Sequence, residues 1–352
     1  MTNAPALRAM LDRLLDGDSL TQSEAAGLLV ALTSEELSPA LAGALLAALR
    51  AKGVTAEELR GFAASMRALA RRPQLPPIAD AIDIVGTGGD RSGSLNLSTG
   101  AALLSAACGL PVIKHGNRAI SSRAGSADVL QALGLPLPLD EADAGRCFAA
   151  LGFTFLFAPY YHAATKNIAP VRAALGVRTV FNMLGPLVNP ATPPFLLIGA
   201  FDGATAELIA HALAGGATRR AFVIHGAEGW DEPTPIGPFT LFDVSERGVR
   251  REQRAPDDYG LARCQPDALA GGDADHNARE LTRVLAQGAT GAHRDALLLG
   301  AALALELTGR ETAPNAALAR AAQAIDSGAA GKLLANLKRF GAEQLRRVSA
   351  TP

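Results

Sequence analysis

Residues 83–128 read DIVGTGGDRSGSLNLSTGAALLSAACGLPVIKHGNRAISSRAGSAD, and this order predicts a strand, a glycine turn and a helix start. The apolar run Ile82–Val85 is typical of a buried strand, and Gly86–Asp90 forms a turn that few side chains would tolerate. The Ala- and Leu-rich run that follows predicts a buried helix, with Ser98 or Thr99 capping its start. Backbone N–H groups beside the positive end of a helix dipole favour an anion-binding site.

The composition is that of a globular protein with a large core. The chain has 352 residues, 49% of them hydrophobic, and a formal net charge of -1. The absence of a basic excess argues against a nucleic-acid or membrane partner. The three cysteines are far apart and form no CxxC pair, so we expect buried apolar thiols rather than disulfides or a zinc site. Without a signal-peptide core or a long apolar run, a cytoplasmic location is expected.

Residues 1 to about 72 carry apolar side chains at helical spacing and predict four short helices. Polar residues that can cap a helix precede three of them: Ser19 or Thr21, Ser38 before Pro39, and Thr55 in a capping-box-like sequence. Leu45, Leu46 and Leu49 fit either a shared core or a subunit interface, and the sequence leaves both open. The PQLPP segment at residues 73–77 predicts a linker.

From Ile78 onward, strands and helices alternate. This alternation predicts a mostly parallel sheet covered by helices on both faces, with ligands beyond the carboxyl ends of the strands. The predicted strands are Ala81–Val85, Pro111–Lys114, Phe153–Ala158, Phe195–Gly199 and Ala221–His225, and the helices between them are Ser98–Cys108, Ser126–Ala132, Glu141–Leu151 and Ala204–Gly215. The predicted organisation is therefore α/β: a helical domain (1–75), a hinge segment (166–192), and an α/β domain (78–165 and 193–352).

Three groups of polar residues follow predicted strands and could face one crevice. Asn96, Ser98 and Thr99 are small polar groups suited to phosphate oxygens or a ribose hydroxyl, although at least one of them could simply cap the helix. The run Lys114–Arg118, with Ser121, Ser122 and Arg123 after it, contains no balancing acid and favours an anion pocket. Adjacent Asp231 and Glu232 suit Mg²⁺, which needs few carboxylates when a substrate supplies phosphates, although such pairs are usually solvated turn residues.

The segment around residues 162–190 adds a fourth group. His162 and Lys166 are four residues apart and would share a helical face. Arg172 could fork a substrate carboxylate, or form an ordinary surface ion pair.

Together these motifs resemble the anthranilate phosphoribosyltransferase family. The resemblance covers residues 78–309 in the family's order: DIVGTGGD, NLST, KHGNRAISSRAGSADVLQALG, FAPYYH, KNIAPVRAALGVRTVFNMLGPLVNP, GWDE, GGDADHNA and RDALLLGAALALELTG. Each motif alone is weak, whereas the ordered set is specific. The resemblance implies a helical domain joined to an α/β domain of the nucleoside phosphorylase type, a homodimer through the helical domain, and two Mg²⁺ ions per site.

The resemblance also implies a reaction and a set of roles. The family transfers the phosphoribosyl group of PRPP to the amine of anthranilate and releases pyrophosphate. The implied PRPP contacts are Gly86, Thr87, Gly88, Gly89, Asp90, Asn96, Ser98, Thr99, Lys114 and Ser126. The implied metal ligands are Asp231, Glu232 and Ser98, and the implied anthranilate contacts are Gly86, Asn117, His162 and Arg172. No general base is assigned, because an aromatic amine needs none before attack.

The sequence departs from the family pattern at several places. A common SSKSGSAD is SSRAGSAD here, a common Ala-Met-Lys is Ala-Thr-Lys at 164–166, and an Asn common after RDAxLL is Gly300. The metal loop carries Trp230 and two prolines, which reshape a loop beside the site. A paralogue that uses PRPP or a nucleoside with a different acceptor is therefore an alternative. A pyrimidine-nucleoside phosphorylase and a non-catalytic nucleic-acid-binding relative are the alternatives. The Asp231–Glu232 pair argues against both, and the net charge argues against the second.

Overall fold

The computed structural model describes residues 4–119 and 123–349, apart from the side chain of Val348. Ser121 and Ser122, and with them part of the predicted anion pocket, lie outside the described residues.

The first part of the chain folds into four helices, as predicted. They are α1 (Ala4–Leu15), α2 (Gln22–Leu32), α3 (Pro39–Lys52) and α4 (Ala56–Ala68). Thr21 and Thr55 each close a capping box, and Ser38 accepts a hydrogen bond from the Leu41 N–H. A cap of this kind stabilises a helix by about 1 kcal/mol. Leu45, Leu46 and Leu49 are almost fully buried within the single chain, so they belong to a shared core.

The rest of the chain builds a sheet of seven strands in the order β3-β2-β1-β4-β5-β6-β7. The strands are β1 (Ile82–Gly86), β2 (Val112–Gly116), β3 (Phe153–Phe157), β4 (Phe195–Gly199), β5 (Arg220–His225), β6 (Phe239–Ser245) and β7 (Gly248–Arg254). The five predicted strands are parallel to one another, whereas β6 and β7 add an antiparallel hairpin. The order reverses between β1 and β4, and such a switch point opens a crevice at the carboxyl ends of the strands.

Helices cover both faces of the sheet. They are α5 (Leu97–Ala107), α6 (Ser126–Ala132), α7 (Glu141–Leu151), α8 (Ala158–Tyr161), α9 (Ala169–Leu175), α10 (Phe181–Leu184), α11 (Gly203–Leu213), α12 (Ala274–Leu285), α13 (Ala292–Leu307), α14 (Pro314–Asp326) and α15 (Ala329–Ser349). Short 3₁₀ helices occur at Ala163–Asn167, Gly185–Leu187, Ala227–Gly229, Pro256–Tyr259 and Pro266–Leu269. Helix α13 is buried along nearly its whole length.

The described part of the molecule has two hydrophobic cores, and their boundary does not follow the boundary between the helical part and the α/β part along the chain. One lies on the α5 and α13 side of the sheet. The other joins the helical bundle to α11, to the segment around Leu184–Val188 and to the opposite face of β4 and β5. The predicted fold class, a small helical domain with a mostly parallel α/β domain, is confirmed. The division at residues 75–78 and the hinge at 166–192 stay predictions.

Two local predictions were wrong. Helix α5 begins at Leu97 with Asn96 as its N-cap residue and no side-chain cap bond, so neither Ser98 nor Thr99 caps it. His162 has φ −113° and ψ 53° between α8 and a 3₁₀ helix, so it shares no regular helical face with Lys166.

The free thiols of Cys108 and Cys147 are buried, and Cys264 is half-buried. Among the described helices, none is both long and apolar enough to cross a bilayer.

Candidate active site

The glycine turn lies at the switch point of the sheet. It leaves β1 at Gly86, beside the end of β4 at Gly199. The Thr87 N–H donates to the Gly199 carbonyl at 2.9 Å, and the Thr87 hydroxyl accepts from the Phe201 N–H at 3.1 Å. Gly88 and Gly89 have φ of 69° and 78°, a conformation that favours glycine. Hydrogen bonds to the segment after β4 therefore fix the conformation of the glycine turn at the carboxyl ends of β1 and β4.

The loop after β5 crosses directly over these strand ends. A Cβ atom on Gly199 would lie 1.6 Å from the Asp231 carbonyl oxygen, and one on Gly86 would lie 2.4 Å from Asp231 Oδ2. Contacts this short do not occur in proteins, so both strands must end in glycine for the loop to pass. This close approach explains why the glycine turn and the acidic pair, remote in sequence, share one site.

Backbone N–H groups hold both carboxylates. The Gly88 N–H donates to Asp231 Oδ2 at 2.6 Å, and the Ser98 N–H at the start of α5 donates to Glu232 Oε1 at 3.2 Å. Asp90 in turn accepts from the Asp231 N–H at 3.3 Å. The structure thus brings together Gly88, Asp90, Ser98, Asp231 and Glu232, as the sequence predicted.

The electrostatics of this cluster favour a bound cation. Burial, then the neighbouring Glu232 and Asp90 charges, hold the pKa of Asp231 well above its usual value. Burial raises the pKa of Glu232 to about 7, although the Lys114 ammonium opposes the rise. Burial lowers the pKa of Lys114, whose Nζ donates to the Ile84 carbonyl at 2.5 Å and to Ser98 Oγ at 3.4 Å. One buried ammonium among several carboxylates leaves an excess of negative charge that a metal would neutralise.

The donor set fits Mg²⁺ held by few protein ligands. Within residues 4–119 and 123–349, no cluster of three His, Cys, Asp or Glu side chains forms a complete metal cage. Asp231 and Glu232 supply carboxylate oxygens, and the Ser98 hydroxyl lies within reach of Lys114 beside them. Mg²⁺ is usually bound in this way, by one or two carboxylates together with water and substrate phosphates. A cavity of about 10 Å³ beside Ser98 and Glu232 leaves room for roughly one water.

Asn96 is anchored by a residue that the sequence reasoning missed. Its Nδ2 donates to the Ala124 carbonyl at 3.1 Å, and its Oδ1 accepts from Asn277 Nδ2 at 2.8 Å. Asn277 Oδ1 accepts from the Gly272 N–H at 2.7 Å, so the GGDADHNA motif positions Asn96. Thr99, by contrast, is fully buried, and its hydroxyl has no hydrogen-bond partner among the described residues.

The basic loop after β2 is less cationic than its sequence indicates. Arg118 pairs with Asp128 at 2.7 Å, so the expectation of a run without a balancing acid was wrong. Asn117 is exposed at the rim, and its side-chain oxygen accepts from the Arg118 N–H. Ser126 Oγ donates to the Asn117 carbonyl at 3.2 Å and lies against the end of β2 at Gly116.

The segment 162–190 reaches the site at two points. The buried His162 ring meets the His115 ring edge-on, with centroids 5.1 Å apart. Neither nitrogen of His162 has a well-formed hydrogen bond among the described residues, and burial lowers its pKa to about 4, although the Met66 and Val188 carbonyls partly oppose this. Arg178, which the sequence reasoning missed, donates to the Gly89 carbonyl at 2.5 Å and stacks on Phe201 at 3.9 Å.

Arg172 lies on α9 with its guanidinium 4.9 Å from the Phe181 ring centroid. It is half-buried and has no carboxylate partner among the described residues. Burial lowers its pKa. Of the two alternatives that the sequence left open for Arg172, the structure does not show the surface ion pair.

Two departures from the family pattern have structural explanations. Trp230 is buried in the core of the α/β part, so its ring packs inward. Gly300 lies where α13 packs on α5, and a Cβ there would come within 2.7 Å of the Ala101 Cβ. Gly300 also lines the small cavity beside Ser98 and Glu232, so its lack of a side chain enlarges the site.

Comparison with known proteins identifies the family. Residues 78–331 match the α/β domain model of a glycosyl transferase family, and residues 8–70 match its helical bundle domain. The anthranilate phosphoribosyltransferase of Rhodopseudomonas palustris (strain BisB18) is 44% identical over 330 residues, which is 94% of this chain and 96% of that protein. The one from Desulforudis audaxviator is 46% identical over 335 residues, 95% of this chain and 96% of that protein.

The chain belongs to the anthranilate phosphoribosyltransferase family.

Solved structures of anthranilate phosphoribosyltransferases share this fold. The Thermus thermophilus enzyme superposes with a TM-score of 0.88 at 40% identity, covering 94% of this chain and 99% of that one. The Saccharomyces cerevisiae enzyme in complex with PRPP and Mg superposes with a TM-score of 0.88 at 25% identity, covering 97% and 99%.

Proposed function

We propose that this chain transfers the 5-phosphoribosyl group of PRPP to the amine of anthranilate, giving phosphoribosyl-anthranilate and pyrophosphate for tryptophan biosynthesis. The observation that carries the proposal is the meeting of the glycine turn with Asp231 and Glu232 at the switch point. The proposal is supported by the family to which the chain belongs, because the similar proteins are named anthranilate phosphoribosyltransferases.

The PRPP side is assigned to groups that surround the turn. The turn and the start of α5 present backbone N–H groups of the kind that bind phosphate oxygens, although those of Gly88 and Ser98 donate to Asp231 and Glu232 in this structure. Lys114 supplies a buried positive charge. The proposed contacts are those of the sequence prediction: Gly86, Thr87, Gly88, Gly89, Asp90, Asn96, Ser98, Thr99, Lys114 and Ser126. Because the Thr99 hydroxyl is buried, Thr99 would contribute its backbone N–H.

Asp231 and Glu232, with Ser98, would hold Mg²⁺, and we propose two ions per site. When bound, Mg²⁺ stabilises the charge that develops on the leaving pyrophosphate as the C1–O bond breaks. The protein groups hold the ribose and pyrophosphate in place, so positioning and electrostatics account for most of the rate.

The acceptor would approach from the side of the hinge. Arg172 is a half-buried cation without a carboxylate partner among the described residues, as an anthranilate carboxylate would require. The other proposed acceptor contacts are the exposed Asn117, the buried His162, whose ring meets that of His115, and Gly86 at the end of β1. The aromatic amine attacks C1 with its lone pair and loses its proton afterwards, so no general base is assigned.

Arg172→Ala is expected to raise the KM for anthranilate about 100-fold while the KM for PRPP stays within about twofold, because a bidentate charged hydrogen bond contributes roughly 3 kcal/mol. Steady-state kinetics with each substrate varied separately would measure this split. Lys166→Ala, an exposed cation in the same segment, serves as the matched control and should behave like wild type. An unchanged anthranilate dependence in Arg172→Ala would remove Arg172 from the acceptor site.

We also propose a homodimer through the helical domain in the cytoplasm. Leu15 and Val30 are exposed apolar side chains on α1 and α2, which favours a partner surface there. The free thiols fit a reducing compartment. Sedimentation equilibrium would give twice the chain mass, whereas a single-chain mass would reject the dimer.

A fluorescence assay tests the proposed function directly. Anthranilate fluorescence should fall when protein, PRPP and Mg²⁺ are all present. It should stay constant when PRPP is omitted or when a chelator removes the metal. Constant fluorescence in the complete mixture would reject the function.

A further inference from the structure

A cavity of about 130 Å³ is lined by none of the residues proposed above for PRPP, metal or anthranilate. Its walls come from α4, from residues 186–193 and from the end of α11 with the loop after it. Leu196 lines it at the start of β4, whereas the active site adjoins Gly199 at the other end of that strand, about 10 Å further on. The cavity therefore lies toward the amino-terminal ends of the strands, whereas the active site lies at their carboxyl ends.

The size and lining of the cavity suit a small apolar group. Ala63, Leu187, Leu196 and Leu213 form much of its wall. An apolar cavity of about 150 Å³ accommodates a benzene ring, so one ring or a short branched chain fits here.

Arg67 adds an unpaired positive charge to this lining. It is half-buried, and its Nη1 donates to the Leu187 carbonyl at 2.6 Å. It has no carboxylate partner among the described residues, and burial lowers its pKa. A guanidinium nevertheless stays charged, and charges removed from water in proteins are normally paired with an opposite charge. Arg172 has the same unpaired character at the proposed acceptor site.

Arg60, which also lines the cavity, adds a second positive charge to it. Its Nε and Nη2 donate to the Ala212 and His211 carbonyls, at 3.1 and 3.2 Å, at the end of α11. Arg60 is thus held at the helix end by two hydrogen bonds, whereas Arg67 makes one to Leu187 and keeps more donors for a further acceptor.

We propose that this cavity binds a small carboxylic acid with a single ring or a branched aliphatic chain. The carboxylate pairs with Arg67, and the apolar part lies between α4 and α11. Because these walls belong to the helical bundle, the α/β part and the segment between them, the bound acid stabilises their present arrangement. The residues that line this site are different from the proposed PRPP and anthranilate contacts.

Calorimetric titration with cyclohexanecarboxylate and its neutral amide, cyclohexanecarboxamide, tests the proposal. The wild-type protein should bind the acid about tenfold or more tightly than the amide, because only the acid forms a charged pair. Arg67→Gln, which keeps a donor for Leu187, should abolish that preference. Ala217→Leu, at the exposed rim of the cavity, should weaken binding of both compounds. Arg339→Gln on α15 is the matched control and should bind like wild type.

A ring acid could also enter the acceptor site, so only binding that is lost in Ala217→Leu is assigned to the cavity. A crystal soaked with the acid should show it beside Arg67. Equal binding of acid and amide by the wild type would overturn the proposal. Wild-type affinity for the acid in both Arg67→Gln and Ala217→Leu would overturn it as well.

Discussion

Replacing Asp231 by Asn together with Glu232 by Gln is expected to reduce turnover by a factor of about 10³ or more, because the several kilocalories of charge stabilisation that Mg²⁺ supplies are lost with its ligands. The amide side chains keep the size of the acids and can still accept from the Gly88 and Ser98 N–H groups. The fold should therefore survive. The rate of anthranilate consumption at saturating PRPP and Mg²⁺ measures the effect.

The same double variant is expected to be at least as stable as the wild type without metal. Two buried acids that repel one another cost free energy when both are ionised. Folding raises the pKa of Glu232 from 4.5 to about 7. The protonated Glu232 therefore contributes fully to the free energy of unfolding below pH 4.5, and this contribution is lost as the pH rises to about 7. The metal-free wild type should lose more thermal stability over that range than the double variant does.

An adjacent acidic pair on the surface provides the control. Glu35→Gln with Glu36→Gln makes the same change in net charge at two exposed positions and should leave activity unchanged. Activity close to wild type in the Asp231 and Glu232 double variant would remove both residues from the metal site.

Gly199→Ala is expected to lower kcat/KM about 100-fold or more, although it removes no polar side chain from the site. The new Cβ would lie 1.6 Å from the Asp231 carbonyl oxygen, so the loop must move away from the strand end. A 1 Å displacement of catalytic groups costs about this factor, and the overpacking should also cost roughly 1–3 kcal/mol of stability. Steady-state kinetics and thermal unfolding measure the two effects.

Gly203→Ala is the matched control for this substitution. A Cβ at Gly203 meets only His225, at an ordinary 3.8 Å, and it lies in the first turn of α11. Its activity and stability should stay close to wild type. Equal kinetics for the two variants would show that the close passage of the loop over β4 does not matter for the site.

The sequence predicts the parallel sheet well because its strands are short apolar runs between helices. Strand β6 reads FTLFDVS and is mostly buried, so its apolar run could have been recognised from the sequence. Strand β7 reads GVRREQR and has no buried residue, so it lacks the apolar pattern of a buried strand. Its pairing with β6 depends on cross-strand contacts that no local pattern shows.

The site was predictable as a set of motifs and not as a set of contacts. Local reasoning placed Ser98 or Thr99 as the cap of α5, whereas α5 begins at Leu97 and the Ser98 N–H donates to Glu232, 134 residues away. The partner of Arg118 is Asp128, ten residues further on. The first pairing depends on which loops meet at the switch point and the second on how the loop after β2 folds back on α6, so the three-dimensional structure was needed to show them.

Identification of the reaction products tests the central claim most directly. Mass spectrometry of a mixture of the protein, Mg²⁺, PRPP and anthranilate should find phosphoribosyl-anthranilate, and an assay for pyrophosphate should find it in an equal amount. Hydrolysis of PRPP without a phosphoribosylated anthranilate, or transfer that does not need Asp231 and Glu232, would contradict the assignment.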